Sequence, residues 1–160
     1  MSILVLGLGN IHQSDEGVGV RAVEAFQAQW TVPDGVDVVD GGTCGMDMLD
    51  IIASHDTLIV VDAVKTGAPV GTVVKITGAD VPVFFRGRLS PHQLGLSDLL
   101  ATLTLTDEAP GYVSVIGCVP ASMETSLEMT PGIAARLPAM VDLLVEELRS
   151  LGVSLEPKMP

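Results

Sequence analysis

Cations are scarce in this chain. Eight Lys and Arg stand against twenty Asp and Glu, for a net charge of −12. That argues against nucleic-acid binding, which needs clustered cations to neutralise phosphates. The acidity serves solubility and is compatible with basic partners or metal cations. Aromatics make up only 3% of a chain that is 48% apolar, so the core is expected to be built from Val, Leu, Ile, Ala and Met. Only two cysteines occur, Cys44 and Cys118. They offer neither a metal-type pairing nor a disulfide framework, and a cytoplasmic location is the expectation. No cation precedes Arg21, so an export signal with a basic leading region is not expected. The uncharged run Ala109–Met123 contains Pro110 and Pro120 and is too short to span a bilayer, so no membrane insertion is expected.

What is present reads as one α/β domain over 1–160. Ile3–Leu8 is continuously apolar, as a strand buried on both faces should be. After the loop Gly9–Ser14, Asp15 is placed to cap a helix whose inner face is Val18, Ala22, Ala25 and Phe26. Val36–Asp40 reads as a second strand, Thr43 as the start of a short helix, and Thr57–Val64 as a third strand. This alternation predicts right-handed crossovers and a mainly parallel twisted sheet of about five strands, with helices on both faces. Lys65–Gly71 is too short for a crossover helix, so Thr72–Thr77 is expected to return antiparallel as a hairpin partner. After the long segment Gly78–Pro91, Leu96, Leu99, Leu100 and Leu103 mark a helix, and Tyr112–Val119 a last core strand. A final helix runs from Pro131, with Thr130 as cap, Pro138 as the site of a kink, and Ile133 to Leu151 as its apolar stripe. The tail 154–160 is expected to be loosely held.

In open α/β sheets, sites form beyond the carboxyl ends of the strands. There this sequence places Glu16 after strand one, Asp40 at the end of strand two and Asp62 near the end of strand three. Gly78–Pro91 could span roughly 46 Å if extended, at about 3.3 Å per residue, enough to bring His92 back to the same edge. A Glu, an Asp and a His converging there suit a divalent transition metal with open positions for water or substrate. Each residue also has a plainer role: Glu16 could complement a helix dipole, Asp40 could form a turn before Gly41-Gly42, and His92 could be an ordinary helix-start residue. Asp62 is harder to dismiss, because a carboxylate within Leu58–Val64 is costly unless paired, hydrogen-bonded or bound to metal. His12 and His55 read as a loop residue and a solvated helix end, and both cysteines as small apolar residues. The loop GLGN invites a dinucleotide reading with Asp40 as the ribose-binding acid, but His12 stands where the third glycine of G-x-G-x-x-G belongs. Nucleotide binding is therefore the weaker alternative, and the glycines are better explained by a tight turn and a close backbone approach.

Four segments in order resemble one family. ILVLGLGNIHQSDEGVGVRAVEAF, VDGGTCGMDMLD, LIVVDAV and LSPHQLGLSDLL are similar to the successive signatures of the hydrogenase maturation endopeptidases. The match is in register from Ser2 to about Leu151 and nearest to the enzymes serving membrane-bound uptake hydrogenases. The resemblance implies an endopeptidase that removes a carboxy-terminal extension from a [NiFe]-hydrogenase large-subunit precursor once nickel has been inserted. It implies that Glu16, Asp62 and His92 contact the metal and that Asp40 to Thr43 take part in substrate handling. Nickel is then a recognition element carried by the substrate, and Cd or Zn could occupy the same site. Asp62, Asp40 and Glu16 are the candidate catalytic carboxylates. A non-catalytic nickel-binding assembly chaperone using the same trio is the alternative.

Overall fold

The computed structural model describes residues 2–42, 46–85 and 91–159, the side chains of Pro91 and His92 excepted. Its centre is a five-stranded sheet made from β1 (Ile3–Leu8), β3 (Val36–Gly42), β4 (Thr57–Ala63), β5 (Val73–Thr77) and β6 (Tyr112–Cys118). The order across the sheet is β3-β1-β4-β6-β5. The first four are mutually parallel and β5 alone is antiparallel. Every residue of β1 and β4 is buried, which is why both runs are apolar without alternation.

Two apolar layers cover the sheet. On one face α1 (Val18–Gln29) and α6 (Leu137–Ser150) pack Val18, Phe26, Met140 and Leu144 against Ile3, Val5, Ile59 and Val61. On the other, α2 (Leu49–Ala53) and α4 (Pro91–Leu105) pack Ile52, Leu96, Leu99 and Leu103 against Leu4, Leu6, Leu58 and Val60. Each fully buried Leu or Ile contributes about 2 kcal/mol of burial. The fold class is the one expected. Among the described residues, no helix is long and apolar enough to cross a membrane.

Four expectations are corrected. The antiparallel strand is not a hairpin partner of β4; β5 pairs with β6, Val73 opposite Cys118 and Thr77 opposite Ser114. β6 is more deeply buried than β5, so β6 takes the interior place beside β4 and β5 the edge. Within the segment after β5, α3 (Asp80–Phe85) forms. Pro138 does not kink one helix but separates two, α5 (Pro131–Ala134) and α6, and stands in the first turn of α6. Its ring would meet the Ala134 carbonyl of a continuous helix, whereas a first turn needs no proline N–H. The tail is pinned: β7 (Glu156–Pro157) pairs with β2 (Trp30–Thr31), Leu155 is buried, and the Lys158 N–H reaches the Gln29 carbonyl at 2.9 Å. Finally, Asp15 caps no helix, since Gly17 holds that position before α1. Thr130 does stand ahead of α5, though its side chain makes no cap bond there. Thr43 lies outside the described residues.

Candidate functional site at the carboxyl edge

Between β1 and α1 the chain makes a 3₁₀ turn, Ser14–Gly17, whose four residues are all buried. Its anchor is Asp15, with 0% exposure. The Asp15 carboxylate accepts the N–H groups of Ala121, Ser122 and Thr130 at 3.0, 2.9 and 2.8 Å, and the Thr130 hydroxyl at 2.8 Å. Backbone bonds from Ser14 to Ser126 and from Ser126 to His12, both 2.9 Å, close the same seam. A carboxylate with four donors is well compensated for its burial, and it holds the next residue, Glu16, at the sheet edge with only 6% exposure. Glycine is required beside it. Gly9 has φ +124, and a Cβ there would lie 2.0 Å from the Glu16 carbonyl oxygen. The close backbone approach expected of the glycine loop is thus made to Glu16.

The turn packs against β4, where Asp62 is the penultimate residue. Asp62 is 1% exposed and Gln93 5%. One Asp62 oxygen accepts the Ala63 N–H at 2.8 Å; the other accepts the Gln93 side-chain amide, also at 2.8 Å. The same amide donates to the Ala63 carbonyl at 2.8 Å. Gln93 therefore ties the first turn of α4 to the end of β4, and the backbone of His92 comes to the same edge with it. The His92 side chain lies outside the described residues. Among the described residues no group of three or more His, Cys, Asp or Glu could hold a metal; Glu16 and Asp62 are two buried oxygen donors beside the start of α4.

Asp40 stands apart from this pair. It is exposed, opposite Gly7 in the register of β3 with β1, and its carboxylate accepts the Gly42 N–H at 2.9 Å. It forms no turn: β3 continues through Gly42, and the contact spans a shift in register between Asp40 and Gly42. Two strand spacings, roughly 10 Å, separate its backbone from that of β4. Gln93 is the residue that sequence reasoning missed; it adjoined the candidate histidine, but no local pattern distinguishes it from any polar helix residue.

Other chemistry-bearing groups are engaged elsewhere. His55 is not at a solvated helix end: it is buried, with ring nitrogens 2.6 Å from the Asp37 carboxylate and 2.6 Å from the Ile51 carbonyl. Burial foremost, together with the nearby Asp15 charge, pushes the Cys118 thiol up despite Arg136, so it is a poor nucleophile. Cys44 lies outside the described residues. A cavity of about 550 Å³ opens at the opposite, amino edge, between α3, α4 and the start of β6. Among the described residues that line it there is no Asp, Glu, His or Lys.

Residues 20–147 match the family model of the hydrogenase maturation proteases. The chain is 41% identical to the hydrogenase 2 maturation protease of Escherichia coli (strain K12), over 99% of this chain and 97% of that one. It is 38% identical to the hydrogenase expression/formation protein HupD of Rhizobium leguminosarum bv. viciae, over 95% of this chain and 76% of that one. The solved structure of the hydrogenase maturating endopeptidase HybD from E. coli superposes with a TM-score of 0.93 at 40% identity, covering 99% of this chain and 98% of the other.

Proposed function

The chain belongs to the hydrogenase maturation protease family, and we propose that its carboxyl edge recognises the nickel of a [NiFe]-hydrogenase large-subunit precursor and removes the precursor's carboxy-terminal extension there. Membership makes the chain an endopeptidase acting on hydrogenase large-subunit precursors, and the chaperone and nucleotide-binding alternatives give way to it. The proposal concerns which residues do the work.

The observation that carries it is the double contact of Gln93 with Asp62 and the Ala63 carbonyl, each 2.8 Å. It brings the first turn of α4, with His92, against a buried carboxylate that already neighbours the Glu16 turn. Glu16, Asp62 and His92 supply two oxygens and one imidazole to the substrate-borne nickel, a donor set that suits a borderline divalent ion and leaves positions open. Cd or Zn would take the same place. Hydrolysis also needs a group to accept a proton from the attacking water. Both oxygens of Asp62 are engaged, by Ala63 and Gln93. Asp40, exposed at the rim with one oxygen committed to the Gly42 N–H, is the better general base. Glu16 and Asp62 then serve the metal, which fixes the register of the scissile bond.

Incubation with nickel-loaded precursor tests this by intact mass. The wild type is expected to shorten the precursor at its carboxyl terminus. Asp40→Asn should keep precursor binding and lose turnover by about 10² or more, whereas Asp62→Asn should lose both. Full turnover by Asp40→Asn would remove the base assignment, and full turnover by Asp62→Asn the site.

A further inference from the structure

β3 is an edge strand: among the described residues, β1 lies on one side of it and no strand on the other. One hydrogen bond shows which backbone groups face outward. The Gly35 carbonyl accepts the Ile3 N–H at 2.9 Å, so residues 35, 37 and 39 turn their amide groups toward β1. Strand alternation then turns those of Val36, Val38 and Asp40 away. The Val36 N–H is used locally, by the Pro33 carbonyl at 3.3 Å. Val38 and Asp40 are left presenting donors and acceptors along the open side, a ready template for another strand. Edges are commonly blunted by charged side chains, proline or bulges; β3, VDVVDGG, has no lysine or proline, its charges are both acidic, and its register shift falls only beyond Asp40.

Two further features select an occupant. The first is where the edge leads. The Gly42 carbonyl accepts the Gly9 N–H at 2.8 Å, and Gly9 lies against the Glu16 carbonyl, so β3 runs straight into the site. The other edge strand, β5, runs antiparallel, carries Lys75 and ends opposite Ser114, away from the site. The second is charge. Between Arg21 and Lys65 the chain has no Lys or Arg, while Asp34, Asp37, Asp40, Asp47 and Asp50 are exposed on and beside β3. An acidic segment would be repelled here and a basic one drawn in.

We propose that β3 is the docking strand for the precursor's carboxy-terminal extension, which pairs with it as an extended, basic segment antiparallel to β3. The proposal rests on the reading of the site given above. The folded, nickel-bearing body of the precursor lies upstream of the scissile bond and sits over the carboxyl edge. The extension lies downstream, so it leaves that edge along β3, in the direction opposite to the strand. Backbone pairing supplies affinity with little demand on side-chain identity, and the aspartates supply the preference for cations.

Val38→Pro tests the pairing, because proline removes an outward N–H and is tolerated at such edge positions. The KM for nickel-loaded precursor should rise about tenfold, with kcat within about twofold and a cooperative melt retained. Unaltered KM in the folded variant overturns the docking proposal alone. Failure of the wild type to cleave overturns the underlying reading instead. A second measurement uses the wild type and so does not depend on the variant's folding. Synthetic extension peptide is added as a competitor, unmodified or N-methylated at odd or at even residues. Pairing predicts that the unmodified peptide inhibits, that one methylated form matches it, and that the other is weaker by about tenfold. Equal inhibition by both methylated forms, or none by the unmodified peptide, overturns the proposal.

Discussion

The two edges of the central sheet are built from the same strands and differ in nearly everything else. At the carboxyl edge, Asp15, Glu16, Asp62 and Gln93 are all buried, and hydrogen bonds of 2.8–3.0 Å knit the edge together. At the amino edge lies a cavity of about 550 Å³ bordered by Val81, Phe85, Leu100 and Tyr112. Room alone does not make a site. Burying a carboxylate is costly and is repaid only by bound partners, so the edge that keeps four polar groups out of water is where chemistry is expected. The polar groups buried toward the amino edge, His55 and Glu147, are matched by side chains of the fold, Asp37 and Tyr112, and the cavity beside them is lined chiefly by apolar residues.

Removing a proposed metal ligand from the carboxyl edge should show the largest effect. His92→Ala is expected to abolish processing while changing stability by no more than about 0.5 kcal/mol, since it truncates a side chain in a helix's first turn. Precursor cleavage and thermal melts on the same preparation check both halves. Normal cleavage by the folded variant would break the contrast between the edges, and loss of folding would make His92 a structural residue.

Next comes the residue that holds Asp62. Gln93→Leu removes the amide that donates to one Asp62 oxygen and to the Ala63 carbonyl, at a cost of about 1–3 kcal/mol. Metal affinity should fall roughly 10- to 100-fold, the usual consequence of losing a group that orients a ligand. Calorimetry with added Ni²⁺ reads this directly, and unaltered affinity would show that Gln93 serves only packing.

Much of this difference between edges could be read in the amino-acid order, and the part that could not is instructive. Ile3–Leu8 and Leu58–Val64 announce themselves because a strand buried on both faces must be apolar throughout, and in such a run the single carboxylate of Asp62 is conspicuous. Glu16 follows from its place after the first strand. Gln93 does not, because its role exists only once α4 meets β4. The partner of β5 is equally hidden: it depends on β6, which comes much later in the chain and takes the place a hairpin would have filled. Asp15 shows a different failure. Its position before a helix fits a cap, but its four donors come from residues 121–130, and no local pattern reports that contact. Pro138 is conspicuous within the apolar stripe, but whether a proline bends a helix or separates two depends on what its neighbours pack against.

The smallest effect belongs to the amino edge. Tyr112 donates its phenolic hydrogen to Glu147 at 3.2 Å, and burial foremost, then the Glu147 charge, raise its pKa above the ordinary 10.0. A group with a raised folded-state pKa contributes stability that is complete below its unfolded value and lost as pH climbs through the folded one. The wild-type melting temperature should therefore fall more steeply than that of Tyr112→Phe above about pH 10, with processing at neutral pH within about twofold in both. A marked loss of processing in Tyr112→Phe would bring the amino edge into the mechanism.

The central claim is that one metal position at the carboxyl edge is shared by Glu16, Asp62 and His92. A crystal soaked in Ni²⁺ or Cd²⁺ and measured at the metal's anomalous signal tests it most directly. The account predicts one ion touching all three side chains, with Ni²⁺ bonds of about 2.0–2.2 Å, slightly longer for Cd²⁺. An ion more than about 5 Å from Asp62 or from His92, beyond any direct bond, would contradict it.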